Sequence, residues 1–246
     1  MTQLLSSAYW ALPHDLRRSL SKLSSPTQYR KRCSLRQQGQ NGVGLEPLDR
    51  HHAIFVHIPK AAGTSIVKSL FGCEGGWHMT LRQYSLIYSA EELNAAFKFT
   101  FVRNPWDRLY SAFSYLKAGG RNQADRQWAE QHLARVADFP TFVHEWLPRV
   151  DLESSYTHLI PQYRFLRIQG DTPRVDFIGR FETIADDYET IRARIGTGEP
   201  LAHLNPSSRA HDYRDVYTED MKQIVAQAYH KDISLFHYTF EGFTTT

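Results

Sequence analysis

Three short, mostly apolar runs stand out in the pattern of hydrophobic and polar positions along the chain. They cover residues 53–58, 98–103 and 175–181. Runs of this length, rich in β-branched and aromatic residues, are typical of strands that are buried on both faces of a sheet. The pattern therefore predicts three strands that are well separated in sequence.

Segments with helical spacing lie between and after these runs. Residues 64–71 place Ile66, Val67 and Leu70 on one side of a helix. Further helices are predicted over residues 91–97, 121–135, 184–195 and 218–231. Strands that alternate with helices predict an α/β fold, in which a central parallel β-sheet is flanked by helices on both faces.

Residues 1–50 differ in composition from the rest of the chain. Leucines and Trp10 on either side of Pro13 favour short amphipathic helices, and seven basic residues cluster in the same segment: Arg17, Arg18, Lys22, Arg30, Lys31, Arg32 and Arg36. Such a segment fits either a peripheral contact with an anionic membrane surface or a solvated arm that packs loosely on the domain. The sequence thus predicts a basic N-terminal arm over residues 1–50 and one domain over residues 51–246.

Composition narrows the class of protein. The 246 residues include 41% hydrophobic residues, enough for a packed core. The net charge of +3, from 29 basic and 26 acidic residues, is too small to indicate a nucleic-acid partner. Cys33 and Cys73 do not suggest a disulfide framework, and there is neither a signal-peptide pattern nor a long apolar run. These features predict a cytoplasmic protein.

Residues 57–65 have the pattern of a strand that runs into a turn and opens a helix. Lys60 precedes Gly63, and Thr64 and Ser65 follow it. A glycine lets the backbone approach an anion, while hydroxyls and N–H groups at a helix N-terminus donate to its oxygens. A Walker A loop has the reverse order, with the lysine after the glycines and a hydroxyl that holds Mg²⁺. The order found here predicts an anion-binding loop that works without a metal.

Residues 101–111 repeat this arrangement. Arg103 ends a predicted strand, Asn104 has the position of a helix cap and Pro105 that of the first helical residue. Ser111 lies two helical turns beyond Asn104, on the same face. We therefore expect Arg103 and Ser111 to converge on one phosphate near the carboxyl edge of the sheet. Two phosphate sites on adjacent strands would suit a nucleotide that is phosphorylated at both ends.

Together these segments resemble the sulfotransferases that use 3′-phosphoadenosine-5′-phosphosulfate (PAPS). Residues 57–65 are similar to the 5′-phosphosulfate-binding loop of that family, and residues 103–111 to its 3′-phosphate-binding element. Similar blocks follow at residues 176–182, 203–207 and 217–236, so that the resemblance covers about residues 51–240. It is closest to the branch that includes carbohydrate sulfotransferases and bacterial relatives, and it implies a P-loop-like three-layer fold.

The resemblance implies in-line transfer of a sulfuryl group from PAPS to a hydroxyl or amine, leaving adenosine 3′,5′-bisphosphate. Lys60 would stabilise the charge on the bridging oxygen as it leaves. Ser207 would lie in a loop over the 3′-phosphate or the adenosine, unless it belongs to an ordinary surface turn. The residues implied in PAPS binding are Lys60, Ala61, Ala62, Gly63, Thr64, Ser65, Arg103, Ser111 and Ser207. At positions 61–63 many relatives carry a polar residue and two glycines, where this chain has two alanines and one glycine.

The acceptor hydroxyl needs a general base, and histidine suits that role near neutral pH. His78 follows the first helix of the domain, where the resembling proteins often have a histidine, and is predicted to be the base. The alternative is a loop histidine with a structural hydrogen bond. His57 is expected to shape the end of the strand, and three further histidines have no assigned role: His158, His203 and His211.

The predicted function is a PAPS-dependent sulfotransferase that acts on a glycan or glycolipid-like hydroxyl and needs no metal. Two alternatives stay open. An ATP-dependent kinase of P-loop type is disfavoured by the lysine–glycine order, and a non-catalytic nucleotide-binding protein would lack an effective base. Asp107 and Arg108 are expected to serve capping and ion pairing, and Trp106 and Phe113 to lie in the core.

Overall fold

The computed structural model describes residues 3–37, 44–73, 78–202 and 212–244. The described residues form two compact units. The first is drawn from Met1–Ile58, Ala62–Phe101 and Tyr163–Leu204, and the second from Pro59–Ala61, Val102–Gln162 and Asn205–Thr246. The boundary predicted at residue 50 stays a prediction. The predicted site residue Ser207, with His203 and His211, lies outside the described residues.

The sheet has three strands in the order β1–β2–β3: β1 (Ala53–Val56), β2 (Phe97–Val102) and β3 (Phe177–Arg180). β1 and β2 pair in parallel, with Val56 opposite Thr100. The Thr100 hydroxyl donates to the Val56 carbonyl oxygen at 2.7 Å. β1 ends two residues earlier than predicted, because the next carbonyl, that of His57, accepts from the His78 ring at 3.2 Å rather than from a strand.

Helices precede, connect and follow the strands. In chain order they are α1 (Gln3–Ala11), α2 (His14–Ser24), α3 (Pro26–Ser34), α4 (Glu46–Arg50), α5 (Gly63–Phe71), α6 (Leu81–Ile87), α7 (Ala90–Ala95), α8 (Pro105–Lys117), α9 (Gln123–Leu133), α10 (Phe139–Thr141), α11 (Tyr163–Leu166), α12 (Ile184–Ile195), α13 (Glu219–Ala228) and α14 (His230–Phe236). The predicted α/β fold, a parallel sheet flanked by helices as in P-loop-like sulfotransferases, is confirmed. No helix in the described part of the chain has both the length and the apolar composition needed to cross a bilayer.

Most predicted helices are present with small changes at their ends. α12 has the predicted bounds, and α9 is shorter than the predicted segment at both ends. α7 ends at Ala95, two residues early, because the Phe97 N–H already donates to the His52 carbonyl oxygen at 2.9 Å.

The single helix predicted over residues 218–231 is wrong. The chain forms α13 and α14, which are separated at Tyr229. The Tyr229 side chain is 2% exposed, and its hydroxyl donates to the Leu159 carbonyl oxygen at 2.7 Å. This tertiary hydrogen bond, which no local pattern reveals, fixes the residue at which the helix is interrupted.

The helices before β1 pack on other elements of the first unit. α2 and α3 both contact α6. A ring nitrogen of His14 lies 2.9 Å from the Tyr88 carbonyl oxygen. Arg36 forms ion pairs with Asp49 at 2.9 Å and with Glu92 at 2.8 Å. These contacts attach the N-terminal helices to the first unit.

The first turn of α8, in the second unit, is fully buried. Trp106 and Phe113 are 5% and 7% exposed, so both lie in the core as predicted. The Phe113 ring packs against the rings of Phe139 and Phe142, with centroids 5.3 and 5.0 Å away. This aromatic packing gives α8 a rigid position in its unit.

Candidate active site

The turn that precedes α5 has a strained backbone. Lys60 has a φ of 69° and Ala62 a φ of 60°, both in the left-handed region that residues with a side chain rarely adopt. Each such residue costs about 1–2 kcal/mol relative to ordinary backbone. Pro59 and Ala61 are buried, so the surroundings of the turn, rather than its own preferences, determine its shape.

The start of α5 has no side-chain cap. Ala62 occupies the cap position and has no oxygen that could accept a hydrogen bond from the first turn. That turn begins with Gly63, which is buried, and continues with Thr64 and Ser65, which are half-buried. Backbone N–H groups at such a helix start, three residues after Lys60, are suited to bind a phosphate or sulfate group.

Gly63 is required by a neighbouring ring. A Cβ atom at this position would overlap Cδ2 and Nε2 of His57. His57 is itself only 7% exposed, so its ring has little room to move away. The glycine therefore accommodates the His57 ring, in addition to the approach of an anion that the sequence predicts.

His78 is oriented by the main chain of His57. Its Nδ1 atom lies 3.2 Å from the His57 carbonyl oxygen, and the two rings meet edge to face with centroids 4.5 Å apart. A carbonyl oxygen can only accept, so Nδ1 carries the proton. In the neutral ring the basic nitrogen is then Nε2, which is the tautomer that a general base needs.

Arg108 holds the backbone of the turn. Its side chain is 2% exposed, and its Nε donates to the Pro59 carbonyl oxygen at 3.0 Å. Its Nη2 donates to the carbonyl oxygens of Ile160 at 3.0 Å and His158 at 3.3 Å. The sequence predicts capping and ion pairing for Arg108, whereas the hydrogen bonds found here all go to main-chain oxygens. Arg108 therefore helps to fix the backbone of the turn through its bond to Pro59.

Arg103 also contacts the turn. It is 4% exposed, its Nε donates to Asp107 at 2.7 Å, and its Nη1 donates to the Lys60 carbonyl oxygen at 3.0 Å. The ion pair predicted for Asp107 is thus confirmed. The Gln162 side chain bonds both main-chain groups of Arg103, at 2.9 and 2.8 Å. The second predicted anion segment therefore stabilises the backbone of the first.

Asn104 caps α8, as predicted. Its Oδ1 accepts from the Trp106 N–H at 3.1 Å, and Pro105 takes the first helical position. The Asn104 side-chain amide donates to the Thr239 carbonyl oxygen at 2.9 Å, so that both ends of the amide are used. Ser111 lies on the same helix and is buried. Its predicted role in holding a phosphate stays a prediction.

The Lys60 ammonium lies over an aromatic ring that sequence reasoning missed. Its Nζ is 4.1 Å from the centroid of Tyr115, whose hydroxyl donates to the buried Asp125 at 2.5 Å. The missed signal is that Arg108, Ser111 and Tyr115 follow one another at spacings of three and four residues on α8, which places them on one face of the helix. Within the described residues, no three His, Cys, Asp or Glu side chains come together as metal ligands would.

One comparison with known proteins gives a match. The sequence model of the sulfotransferase family matches residues 48–239. This span covers more than three quarters of the chain and includes Lys60, His78, Arg103 and Ser111. No curated protein and no solved structure matches the chain.

Proposed function

The chain belongs to the sulfotransferase family, and on that premise we propose that it transfers a sulfuryl group from PAPS to a hydroxyl of a carbohydrate or glycolipid-like acceptor. The second product is adenosine 3′,5′-bisphosphate. The observation that carries the proposal is the start of α5, where an uncapped helix N-terminus begins three residues after Lys60. N–H donors and one cation complement the charge and the oxygens of a 5′-phosphosulfate.

Each predicted binding residue in the described part of the chain, which excludes Ser207, has a part in this proposal. The 5′-phosphosulfate is assigned to Lys60, Ala61, Ala62, Gly63, Thr64 and Ser65. The 3′-phosphate is assigned to Arg103 and Ser111. Because Nη1 of Arg103 already donates to the Lys60 carbonyl oxygen, the residue that binds the 3′-phosphate would also hold the turn in shape.

The transfer step needs a base and a stabilising cation. The acceptor oxygen attacks the sulfur, and the bond from sulfur to the bridging oxygen of the 5′-phosphate breaks. The proton of the hydroxyl passes to Nε2 of His78, which the bond from Nδ1 to the His57 carbonyl oxygen keeps in the basic tautomer. Lys60 stabilises the negative charge that develops on the departing phosphate oxygen.

A thermal-shift titration tests the donor. Adenosine 3′,5′-bisphosphate should raise the Tm in the absence of Mg²⁺, because its two phosphates meet the two anion segments, whereas ATP with Mg²⁺ should leave the Tm unchanged. The reverse pattern would favour an ATP-dependent kinase and contradict the proposal. Ser111→Ala, which removes only a hydroxyl, should lower the stabilisation by the bisphosphate.

A transfer assay with labelled PAPS tests the acceptor. Oligosaccharides and glycolipids should become labelled, and peptides and simple amines serve as comparison acceptors. If the bisphosphate binds but no acceptor in the panel is labelled, the chain is a non-catalytic nucleotide-binding protein and the proposal of an enzyme is wrong.

The variant His78→Asn tests the base. An asparagine amide can still donate towards the His57 carbonyl oxygen but cannot accept the proton, so kcat should fall by about 10²–10⁴-fold. His132→Asn, at an exposed position on α9, is the matched control and should keep full activity. Full activity of His78→Asn would remove the assignment of the base.

A further inference from the structure

Lys60 is held against the face of an aromatic ring. Its Nζ atom lies 4.1 Å from the centroid of the Tyr115 ring. A cation over an aromatic face is attracted by the charge distribution of the ring, and this contact restricts a side chain that is otherwise flexible. The position of Tyr115 therefore influences where the positive charge of Lys60 lies.

Tyr115 is fixed in turn by a buried carboxylate. Its hydroxyl donates to Oδ2 of Asp125 at 2.5 Å, and Asp125 is 1% exposed. The same carboxylate accepts from the Tyr156 hydroxyl at 2.5 Å and from the Asn122 amide at 2.8 Å, and it lies 3.3 Å from Nε2 of His158. Charge-assisted bonds from several directions hold such a group in one position.

The protonation states of this cluster favour the same arrangement. Burial alone would raise the pKa of Asp125, but the hydrogen bonds from His158, Tyr115 and Tyr156 hold that pKa well below its usual range. Burial and the bond to Asp125 raise the pKa of Tyr115 to about 12. At neutral pH, Asp125 is therefore ionised and Tyr115 is a protonated donor.

The turn between α8 and α9 is built around Asp125. Gly120 has a φ of 64°, and a Cβ atom there would overlap the Cβ atom of Asp125. The Gly120 N–H donates to the Tyr115 carbonyl oxygen at 3.0 Å, and the Asp125 N–H donates to the side chain of Asn122, the cap of α9, at 2.9 Å. The backbone thus places both Tyr115 and Asp125.

We propose that Tyr115, oriented by Asp125, is a positioning residue that sets the place of the Lys60 ammonium for sulfuryl transfer. The proposal rests on the function proposed above, in which Lys60 stabilises the departing oxygen. Displacing a catalytic group by about 1 Å can lower a rate about 10²-fold. Tyr115 thus affects the rate through Lys60, without taking part in the chemistry itself.

Tyr156 offers a matched control. Its hydroxyl makes an equally short bond to Asp125, but its ring stacks on Trp128, with centroids 4.7 Å apart and planes 13° from parallel. Tyr115→Phe and Tyr156→Phe therefore remove the same kind of bond from the same carboxylate. They differ in that the Tyr115 ring lies under Lys60 and that its hydroxyl also accepts from the Arg121 N–H at 3.0 Å.

Steady-state kinetics on these variants test the proposal. Tyr115→Leu removes the aromatic face and should lower kcat about 10²-fold, and Tyr115→Phe, which only loosens the ring, about tenfold. The KM for PAPS should change by less than about threefold, since Tyr115 does not bind the donor. Tyr156→Phe should also lose thermal stability, because it removes a bond to the same carboxylate, and should keep kcat within about twofold. Equal kcat values for the two Phe variants, or a loss confined to KM, would overturn the proposal.

A measurement that needs no turnover separates this proposal from the function on which it rests. After reductive dimethylation of the lysines, the methyl NMR signal of Lys60, identified with Lys60→Arg, should be displaced by the ring above which it lies. In Tyr115→Leu that displacement should vanish. A Lys60 signal that does not respond overturns the positioning role, whereas a wild-type protein that transfers no sulfuryl group overturns the proposed function alone.

A line of exposed leucines runs along α2. Leu16, Leu20 and Leu23 are 45%, 37% and 78% exposed, and among the side chains whose exposure the structure describes, which leaves out residues 3–6, no other large hydrophobic one is exposed. Their spacing of four and three residues places them on one face of the helix, whereas Arg17 and Ser21 are buried on another. The helix thus keeps an apolar face in contact with solvent.

The segment around this face is strongly basic. Residues 3–37 contain seven Lys and Arg residues and one acidic residue, Asp15. Lys22 on α2 and Arg30 and Lys31 on α3 are exposed. A second copy of the chain would bring the same positive charge against this segment, which disfavours self-association. An anionic surface complements both the charge and the leucines.

We infer that the leucine face of α2 docks on an anionic lipid bilayer, with the leucines at the acyl boundary and the basic side chains of α2 and α3 at the headgroups. The contact differs from the proposed sulfuryl transfer and depends on neither PAPS nor an acceptor.

Co-sedimentation with vesicles tests this docking. The full chain should bind vesicles that contain phosphatidylglycerol more strongly than vesicles of phosphatidylcholine alone, and salt should weaken the binding. Leu20→Ser with Leu23→Ser should weaken it at least about tenfold, and so should Arg30→Glu with Lys31→Glu.

The control for this experiment is Arg126→Glu with Arg135→Glu, which changes the net charge equally at exposed positions of the second unit. It should retain most of the binding. Equal losses in the two charge variants would show that net charge alone drives the binding and would overturn the docking site. Absence of vesicle binding, or leucine variants that change only the oligomeric state, would overturn it as well.

Discussion

α5 and α8 differ in whether a side chain caps the free N–H groups of their first turn. Both helices follow a strand and begin with N–H groups that have no partner within the helix. At α8, Asn104 accepts from the Trp106 N–H, and Pro105 fills a position where no N–H is needed. At α5, Ala62 offers no cap, and both Lys60 and Ala62 have left-handed backbone.

This contrast separates a helix start that is complete by itself from one that suits a ligand. Residues near the start of α8 serve the turn before α5: Arg103 and Arg108 donate to the carbonyl oxygens of Lys60 and Pro59. The strained turn is therefore held in shape before any anion binds. A preformed anion site leaves less ordering to be completed on binding and in the reaction.

Lys60→Ala tests the chemical side of the contrast and should have the largest effect. If Lys60 stabilises charge that develops in the transition state, kcat should fall by about 10²–10³-fold, or about 3–4 kcal/mol, with a much smaller change in affinity for the bisphosphate. Lys68→Ala, at an exposed position of the same helix, is the control and should be neutral. A loss of affinity as large as the loss of kcat would make Lys60 a binding residue only.

Features that depend only on residues close together in sequence, such as helix caps and helix bounds, could be predicted. The cap at Asn104 with Pro105 after it, and the bounds of α12, follow from local hydrogen bonding and periodicity. The anion-binding role that the order of Lys60 and Gly63 predicts stays a prediction. The family match over residues 48–239 agrees with the sulfotransferase family that the sequence motifs resemble.

The long-range contacts could not be predicted. Arg103 meets the Lys60 carbonyl across 43 residues, and Arg108 meets that of Pro59 across 49. No periodicity encodes such pairs, because each depends on how the completed units fold. The left-handed backbone at Ala62 could not be predicted either, because alanine does not favour that conformation.

Arg108→Met tests whether α8 supports the turn. It keeps most of the side-chain volume but leaves two buried carbonyl oxygens and a partly buried one without this donor, which should cost about 3 kcal/mol of unfolding free energy in urea denaturation. Arg126→Met, at an exposed position of α9, is the volume-matched control and should change stability by less than about 0.5 kcal/mol. Equal stability of the two variants would show that the turn does not depend on Arg108.

Asn104→Ala measures how much the cap of α8 contributes to the free energy of unfolding. The variant removes a cap and also a buried donor to the Thr239 carbonyl oxygen, so we expect a loss of about 2 kcal/mol. Ser89→Ala, which removes the more exposed cap of α7, should cost about 1 kcal/mol. If the two variants lose the same stability, burial adds nothing to the cap of α8.

Ala62→Gly measures the strain at the other helix start and should have the smallest effect. Glycine adopts a φ of 60° without steric cost, so the variant should be more stable than the wild type by about 1 kcal/mol, seen as a higher Tm. Ala61→Gly is the matched control, because Ala61 has no left-handed backbone to relieve and should lose stability through the greater freedom of the unfolded chain. If both variants lose stability, the turn before α5 is not strained. A rise at position 62 alone would show that the protein retains strain in the turn before α5.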